Sequence, residues 1–204
     1  MHTSGANGIG ILEPLTAKGV VPLAIHPAMT FTGHAEDTAR LSDACFGITA
    51  ADDIGYAIGQ SLVLEIGGEP VRVREDVRPL YHAALAHGSN HLVTLVVDAV
   101  DALRVALEGQ ELLGQELVGS DPNGLPERVL QPLLSAALDN ALRRGQSALT
   151  GPVARGDAAA VAKHLEVLEG VDPQLAAGYR ALSRRTAQRT GSKPELMEVL
   201  EDRR

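Results

Sequence analysis

The sequence predicts an α/β segment followed by an all-helical one, and three observations carry that prediction. Apolar runs of strand length, about six residues each, fall within the first 74 residues and alternate with helical stretches. From residue 75 onward apolar positions recur at helical spacing with no strand-like run. The first part also supplies only three strands, too few to stand as a sheet with two faces to cover. The expected organisation is a partial α/β domain over 1–74 and an all-helical domain over 75–204, with the break near Val73–Asp76.

The elements follow in order. A helix is expected from about Gly8 to Lys18, closed by Gly19 as C-cap. The run Val20-Val21-Pro22-Leu23-Ala24-Ile25 reads as a buried strand, ended at Pro27, which has no N–H to give a ladder. One or two helical turns are expected over His34–Ser42 and a second strand over Ala44–Thr49. Asp52 or Asp53 opens the next helix, where the macrodipole favours an acid, and Gly67-Gly68 ends it before a third strand, Pro70–Arg74. Leu80 to about Glu108 reads as one long helix, followed by a linker over Gly109–Asp121. Further helices are expected at about Pro126–Arg144, Asp157–Glu169, Pro173–Thr190 and Pro194–Glu201. Asp157 and Asp172 serve as N-caps, with Pro173 at the first helical position.

Composition narrows the function. With 204 residues, 45% of them hydrophobic, the chain has ample material for a core, and the scarcity of aromatics makes that core Leu, Val, Ile and Ala. A net charge of −8 argues against nucleic acid or an anionic membrane as the main partner. The single Cys45 provides no disulfide framework, and no run of 18 apolar residues or signal peptide occurs. A cytoplasmic setting is expected.

Four segments are candidates for chemistry. Gly5-Ala6-Asn7-Gly8-Ile9-Gly10 is spaced G-x-x-G-x-G, not G-x-G-x-x-G, but its loop-to-helix amides could face an anion, with Thr3, Ser4 or Asn7 as contacts. His26-Pro27 stands at the carboxyl end of a buried strand, where open α/β sheets bind ligands and a His can exchange a proton near neutral pH. On the long helix His82, Ala86, Asn90, Thr94 and Asp98 recur at i, i+4 and form one polar stripe, which is either a ligand-facing surface or a hydrated seam. His87 and His91 share that spacing without a third metal ligand at useful distance. Thr150-Gly151-Pro152-Val153-Ala154-Arg155-Gly156-Asp157 is a turn into a helix whose Arg155 suits a carboxylate or phosphate. Arg180, Arg184, Arg185 and Arg189 read as a solvated face.

Taken together, His-Thr-Ser-Gly, Ile-His-Pro-Ala-Met-Thr-Phe, Leu-Tyr-His-Ala-Ala, Ser-Asn-His and Leu-Thr-Gly-Pro-Val-Ala-Arg-Gly-Asp resemble one uncharacterised family. Its members are Rossmann-like oxidoreductase-type proteins with a helical C-terminal domain of unknown function, related to pyrroline-5-carboxylate reductase, ketopantoate reductase and 6-phosphogluconate dehydrogenase. The resemblance implies the rear part of a Rossmann-like sheet followed by a helical C-terminal domain of the 6-phosphogluconate dehydrogenase-like type, and a chain truncated at its N-terminus. It further implies NADP or NAD as cofactor of the full-length protein and a small oxo or imino acid as substrate, ketopantoate-like in size, with a homodimer built through the helical domain. On that analogy His82, Asn90 and His26 are catalytic. Thr150, Arg155 and Thr94 contact an acidic substrate, Thr3, Ser4 and Pro27 flank the cofactor, and no metal is required. His26, His82, Asn90 and Arg155 are expected to converge on one cleft between the domains. The competing classes are a non-catalytic helical dimerisation or regulatory module with a degenerate sheet, and a metal enzyme using His82, His87 and His91.

Overall fold

Alternation of inward and outward side chains on three short strands sets the architecture of the N-terminal half. The computed structural model describes residues 1–108 and 124–201, and the linker expected over Gly109–Asp121 lies outside them. The chain divides into two compact units, Met1–Thr94 and Leu95–Arg204.

In the first unit a 3-10 turn over Ile9–Leu12 runs into α1 (Glu13–Thr16), in place of the continuous helix expected from Gly8 to Lys18. Pro14 lies in its first turn, and Gly19, at φ +81°, ends the segment. Then come β1 (Leu23–Pro27), α2 (Glu36–Arg40), β2 (Cys45–Ala50), α3 (Asp53–Ile66), β3 (Glu69–Arg72) and α4 (Arg78–Ala106), whose last turns belong to the second unit. The strand expected at 20–25 begins three residues later, since Val20 and Val21 are 45% and 50% exposed. The alternation of strand-length runs with helical stretches implies helical crossovers throughout. Instead β1 pairs antiparallel with β2, Ile25 opposite Ile48 and His26 opposite Gly47, and only β2–α3–β3 is a parallel crossover. His2 forms a parallel bridge to Ala24 on the other side of β1, its N–H donating to the Leu23 carbonyl at 3.0 Å.

Because successive strand residues point to opposite faces, Leu23, Ile25, Phe46 and Ile48 form one cluster with Val63 of α3. Gly55, Gly59 and Val63 are the buried positions of α3, and a Cβ on Gly59 would sit 2.9 Å from the Ile48 side chain, so the helix lies close on that face. Asp52 caps α3 as expected, accepting from the Gly55 N–H at 2.8 Å. The opposite face of the sheet carries His26, Gly47 and Thr49, and these meet the first turns of α4.

The second unit is helical: α5 (Leu125–Arg144), α6 (Gly151–Arg155), α7 (Ala158–Val171), α8 (Pro173–Thr190) and α9 (Pro194–Leu200). Val161, Leu165, Ala187, Leu196 and Leu200 make its core. Asp157 and Asp172 cap α7 and α8 as their positions require. The arginine row of α8 is only partly a solvated face. Arg185 and Arg189 are exposed, whereas Arg180 and Arg184 are half-buried and donate to the carbonyls of Val199 and Leu200 at the end of α9. A cation there satisfies orphan carbonyls and complements the helix dipole. Among the described residues no helix is long and apolar enough to cross a membrane.

Candidate functional site

The sheet face turned toward α4 is built around one imidazole. His26, half-buried on β1, has its Nδ1 3.0 Å from the Tyr81 hydroxyl, with the two rings edge to face. The His82 ring stands 6.3 Å away on the other side. Two glycines make this packing possible. A Cβ on Gly47, directly across the ladder from His26, would fall 2.7 Å from the Tyr81 oxygen. A Cβ on the buried Gly5 would fall 2.8 Å from His26 Nε2 and 2.6 Å from His82 Cδ2.

Beneath the imidazole lies Arg78, fully buried. Its guanidinium donates to Thr49 Oγ1 at 2.6 Å and to the Ser4 carbonyl at 3.0 Å, with longer contacts of 3.5 Å to the Gly47 carbonyl. The Thr49 hydroxyl in turn donates to the Val73 carbonyl at 2.6 Å. One side chain thus ties the N-terminal segment, β2 and α4 together. The electrostatics follow from this burial. Desolvation, then the Arg78 cation, then His82 hold His26 below the ordinary histidine pKa. Burial pushes the Tyr81 phenol up, partly opposed by Arg78.

An open cleft of about 540 Å³ starts at His26 and His82 and runs along α4 to Ser89 and Asn90, with Met29 and Phe31 on its other wall. It lies wholly within the first unit. The Ser89 hydroxyl donates to the Leu85 carbonyl at 2.9 Å and to Asn90 Oδ1 at 3.2 Å, which orients the carboxamide. The loop carrying Met29–Phe31 is anchored from behind by the buried Asp37, whose carboxylate accepts from the N–H groups of Thr32 and Gly33 and from the Thr32 hydroxyl. Burial raises the Asp37 pKa, but these hydrogen bonds and Arg40 outweigh it and the net direction is down.

His26, His82 and Asn90, nominated from sequence, therefore meet on one cleft. Thr94, one turn beyond Asn90, bonds its hydroxyl back to the Asn90 carbonyl at 3.3 Å. Thr3 is exposed, Pro27 is buried at the end of β1, and the Ser4 hydroxyl accepts from the backbone and side chain of Asn7. The amides of the glycine-rich segment are already engaged: those of Ile9 and Gly10 donate to the Glu75 carboxylate at 2.7 and 3.1 Å. Thr150 and Arg155, both exposed, are the N-cap and the last residue of α6 in the second unit. His87 and His91 face each other, Nδ1 to Nδ1 at 2.8 Å, and among the described residues no group of three His, Cys, Asp or Glu could hold a metal.

Sequence reasoning missed Arg78 and Gly47, and took in Gly5 and Tyr81 only as members of longer motifs, without their contacts to His26. One signal was present for Gly47, since a lone glycine inside a strand pattern marks a close approach of something to the backbone.

The likeness to known proteins agrees with this architecture. Residues 1–27 match the model of a Rossmann-like domain, and residues 44–186 match that of a domain of unknown function, DUF2520. Among solved structures, protein TM1727 from Thermotoga maritima superposes with a TM-score of 0.67 at 22% identity, over 93% of this chain and 68% of that one. Protein BF3122 from Bacteroides fragilis, described as a putative NADP oxidoreductase, gives a TM-score of 0.70 at 22% identity, over 92% of this chain and 64% of that one. The chain therefore spans about two thirds of the length of these structures, and at this identity the likeness concerns the fold. No protein of curated function matches. A short Rossmann-like segment that runs up to His26-Pro27, followed by a matched stretch covering most of the remainder, makes this chain a member of the DUF2520 family.

Proposed function

We propose that this chain is the substrate-orienting part of an NAD(P)-dependent oxidoreductase acting on a small oxo or imino acid, in the manner of ketopantoate reductase or pyrroline-5-carboxylate reductase. The observation that carries the reading is the meeting of His26, His82 and Asn90 on one cleft beside the end of the Rossmann-like segment. Such a concave site with a few convergent polar groups is where ligands bind.

The residues present fit only part of a dinucleotide. Glu75 fills the Ile9 and Gly10 amides, so those two donors are taken and do not serve a phosphate. Thr3, Ser4 and Pro27 are candidates for the nicotinamide end alone. When bound, the cofactor supplies the hydride. The chain's own residues bind and orient the substrate: Asn90 hydrogen-bonds it, and His26 and His82 supply or hold a proton at its oxo or imino group. A homodimer is part of this proposal, supported by exposed apolar side chains on α4 (Leu80, Val93, Val97, Val105) and α5 (Leu133, Leu142).

The test is cofactor consumption by the full-length protein with a panel of small 2-oxo and imino acids. One panel member is expected to be turned over. His82→Ala or Asn90→Ala should then lower kcat roughly 100-fold, the scale of losing a proton-transfer or orienting group. Unchanged kinetics in both variants would end this reading.

A further inference from the structure

We infer that Tyr81 is a positioning residue: its hydroxyl donates to His26 Nδ1, which puts the imidazole proton on Nε2 and makes His26 a neutral hydrogen-bond donor toward Gly5 and the cleft. The first support is geometric. The Tyr81 oxygen lies 3.0 Å from Nδ1, within hydrogen-bond range. A neutral imidazole has one donor and one acceptor nitrogen, so whichever group holds one nitrogen decides the role of the other.

The second support is the direction of that bond. The phenol keeps its proton because burial raises its pKa, and Nδ1 is the acceptor placed to take it. Three groups of α4 face the ring: Tyr81, His82 and Arg78, the last with its guanidinium 5.9 Å from the Tyr81 ring centre. None is an anion that would stabilise an imidazolium, and Arg78 opposes one. His26 thus stays neutral with its Nδ1 acceptor used.

The third support is the pair of glycines. Gly47 is the ladder partner of His26, and the absence of its side chain leaves the space where the Tyr81 hydroxyl sits. Gly5 likewise lets the N-terminal loop close on the Nε2 edge, where a Cβ would fall 2.8 Å from the nitrogen. The strand and the N-terminal loop each carry a glycine where a side chain would collide with a ring nitrogen or its partner.

The substrate-facing consequence rests on the function proposed above; the tautomer does not. If that function holds, His26 acts as an electrophilic donor to the substrate's oxo or imino group and is not its base.

The experiment uses the full chain with ¹⁵N-labelled histidine and reads imidazole nitrogen shifts above neutral pH, His26 being assigned by loss of its signals in His26→Gln. The expected wild-type pattern is a protonated Nε2 and an unprotonated Nδ1. Tyr81→Phe should bring both nitrogens toward averaged shifts, with His164 and its own Tyr179 contact unchanged as internal control. Gly47→Ala, whose methyl displaces the Tyr81 oxygen while leaving both rings in the sequence, should do the same. A proton on Nδ1 in the wild type would overturn the inference, whether or not either variant folds. So would a folded Tyr81→Phe protein with an unaltered tautomer. Because these shifts are read without cofactor or substrate, a failed turnover assay and a failed tautomer assignment are separate results.

Discussion

Replacing Arg78 with methionine probes what holds the candidate site together. Arg78 makes two close charge-assisted bonds, at 2.6 Å to Thr49 and 3.0 Å to Ser4. Bonds of this kind contribute about 1.5–3 kcal/mol each, so the gross loss is roughly 3–6 kcal/mol. Part is recovered, because methionine buries well and the guanidinium no longer has to be kept out of water without a carboxylate at hydrogen-bond distance. The net expectation is a loss of about 2 kcal/mol, confined to the first unit. Amide hydrogen exchange reads this locally: a 2 kcal/mol loss speeds exchange through opening by about 30-fold. The amides of the β1–β2 ladder, Ala24 to Ile48, should exchange that much faster, while those of α7 and α8 stay unchanged. Adding Thr49→Val, which removes the acceptor Arg78→Met leaves behind, should cost less than the sum of the two changes, a coupling of about 1 kcal/mol. Ladder amides that exchange at the wild-type rate in Arg78→Met, or strict additivity in the double variant, would refute the view of Arg78 as the brace of the site.

Two further predictions follow. Since His26 is held below its ordinary pKa in the fold, the unfolded chain binds the extra proton first as pH falls; first-unit stability should be full above about pH 6.5, the unfolded value, and decline below it, and thermal melts of His26→Gln should lack that decline. Light scattering of the chain at tens of micromolar should give twice the monomer mass, because side chains such as Leu80 and Leu142, 72% and 80% exposed, need a cover that a second copy supplies by symmetry; a monomer mass would refute the dimer.

What the sequence made legible were features written in neighbouring residues. Asp52, Asp157 and Asp172 announce helix starts by chemistry within three positions, and the caps stand where expected. The strand before His26 was displaced because Val20-Val21 has the composition of a strand, although both side chains face water and the ladder begins at Leu23. Antiparallel pairing of β1 with β2 is not encoded locally, since an apolar run reads the same in either direction. The site divides in the same way. His82, Asn90 and the strand-end His26 could be found by spacing and position. Tyr81 and Arg78 acquire meaning only from partners 55 and 29 residues away.

The Asp37 clasp bears on how this cleft can change over evolutionary time. It fixes the loop from its far side through the Thr32 and Gly33 backbone, while Thr30 and Phe31 at the mouth of the cleft stay exposed and take no part in the clasp. Stability and ligand contact are thereby assigned to different residues of one short segment. Substitution at positions 30 and 31 can reshape the mouth of the cleft without loosening the fold, whereas Asp37 has no such latitude. A lineage altering the shape of this cleft could do so at the rim, leaving the imidazole and its supports undisturbed.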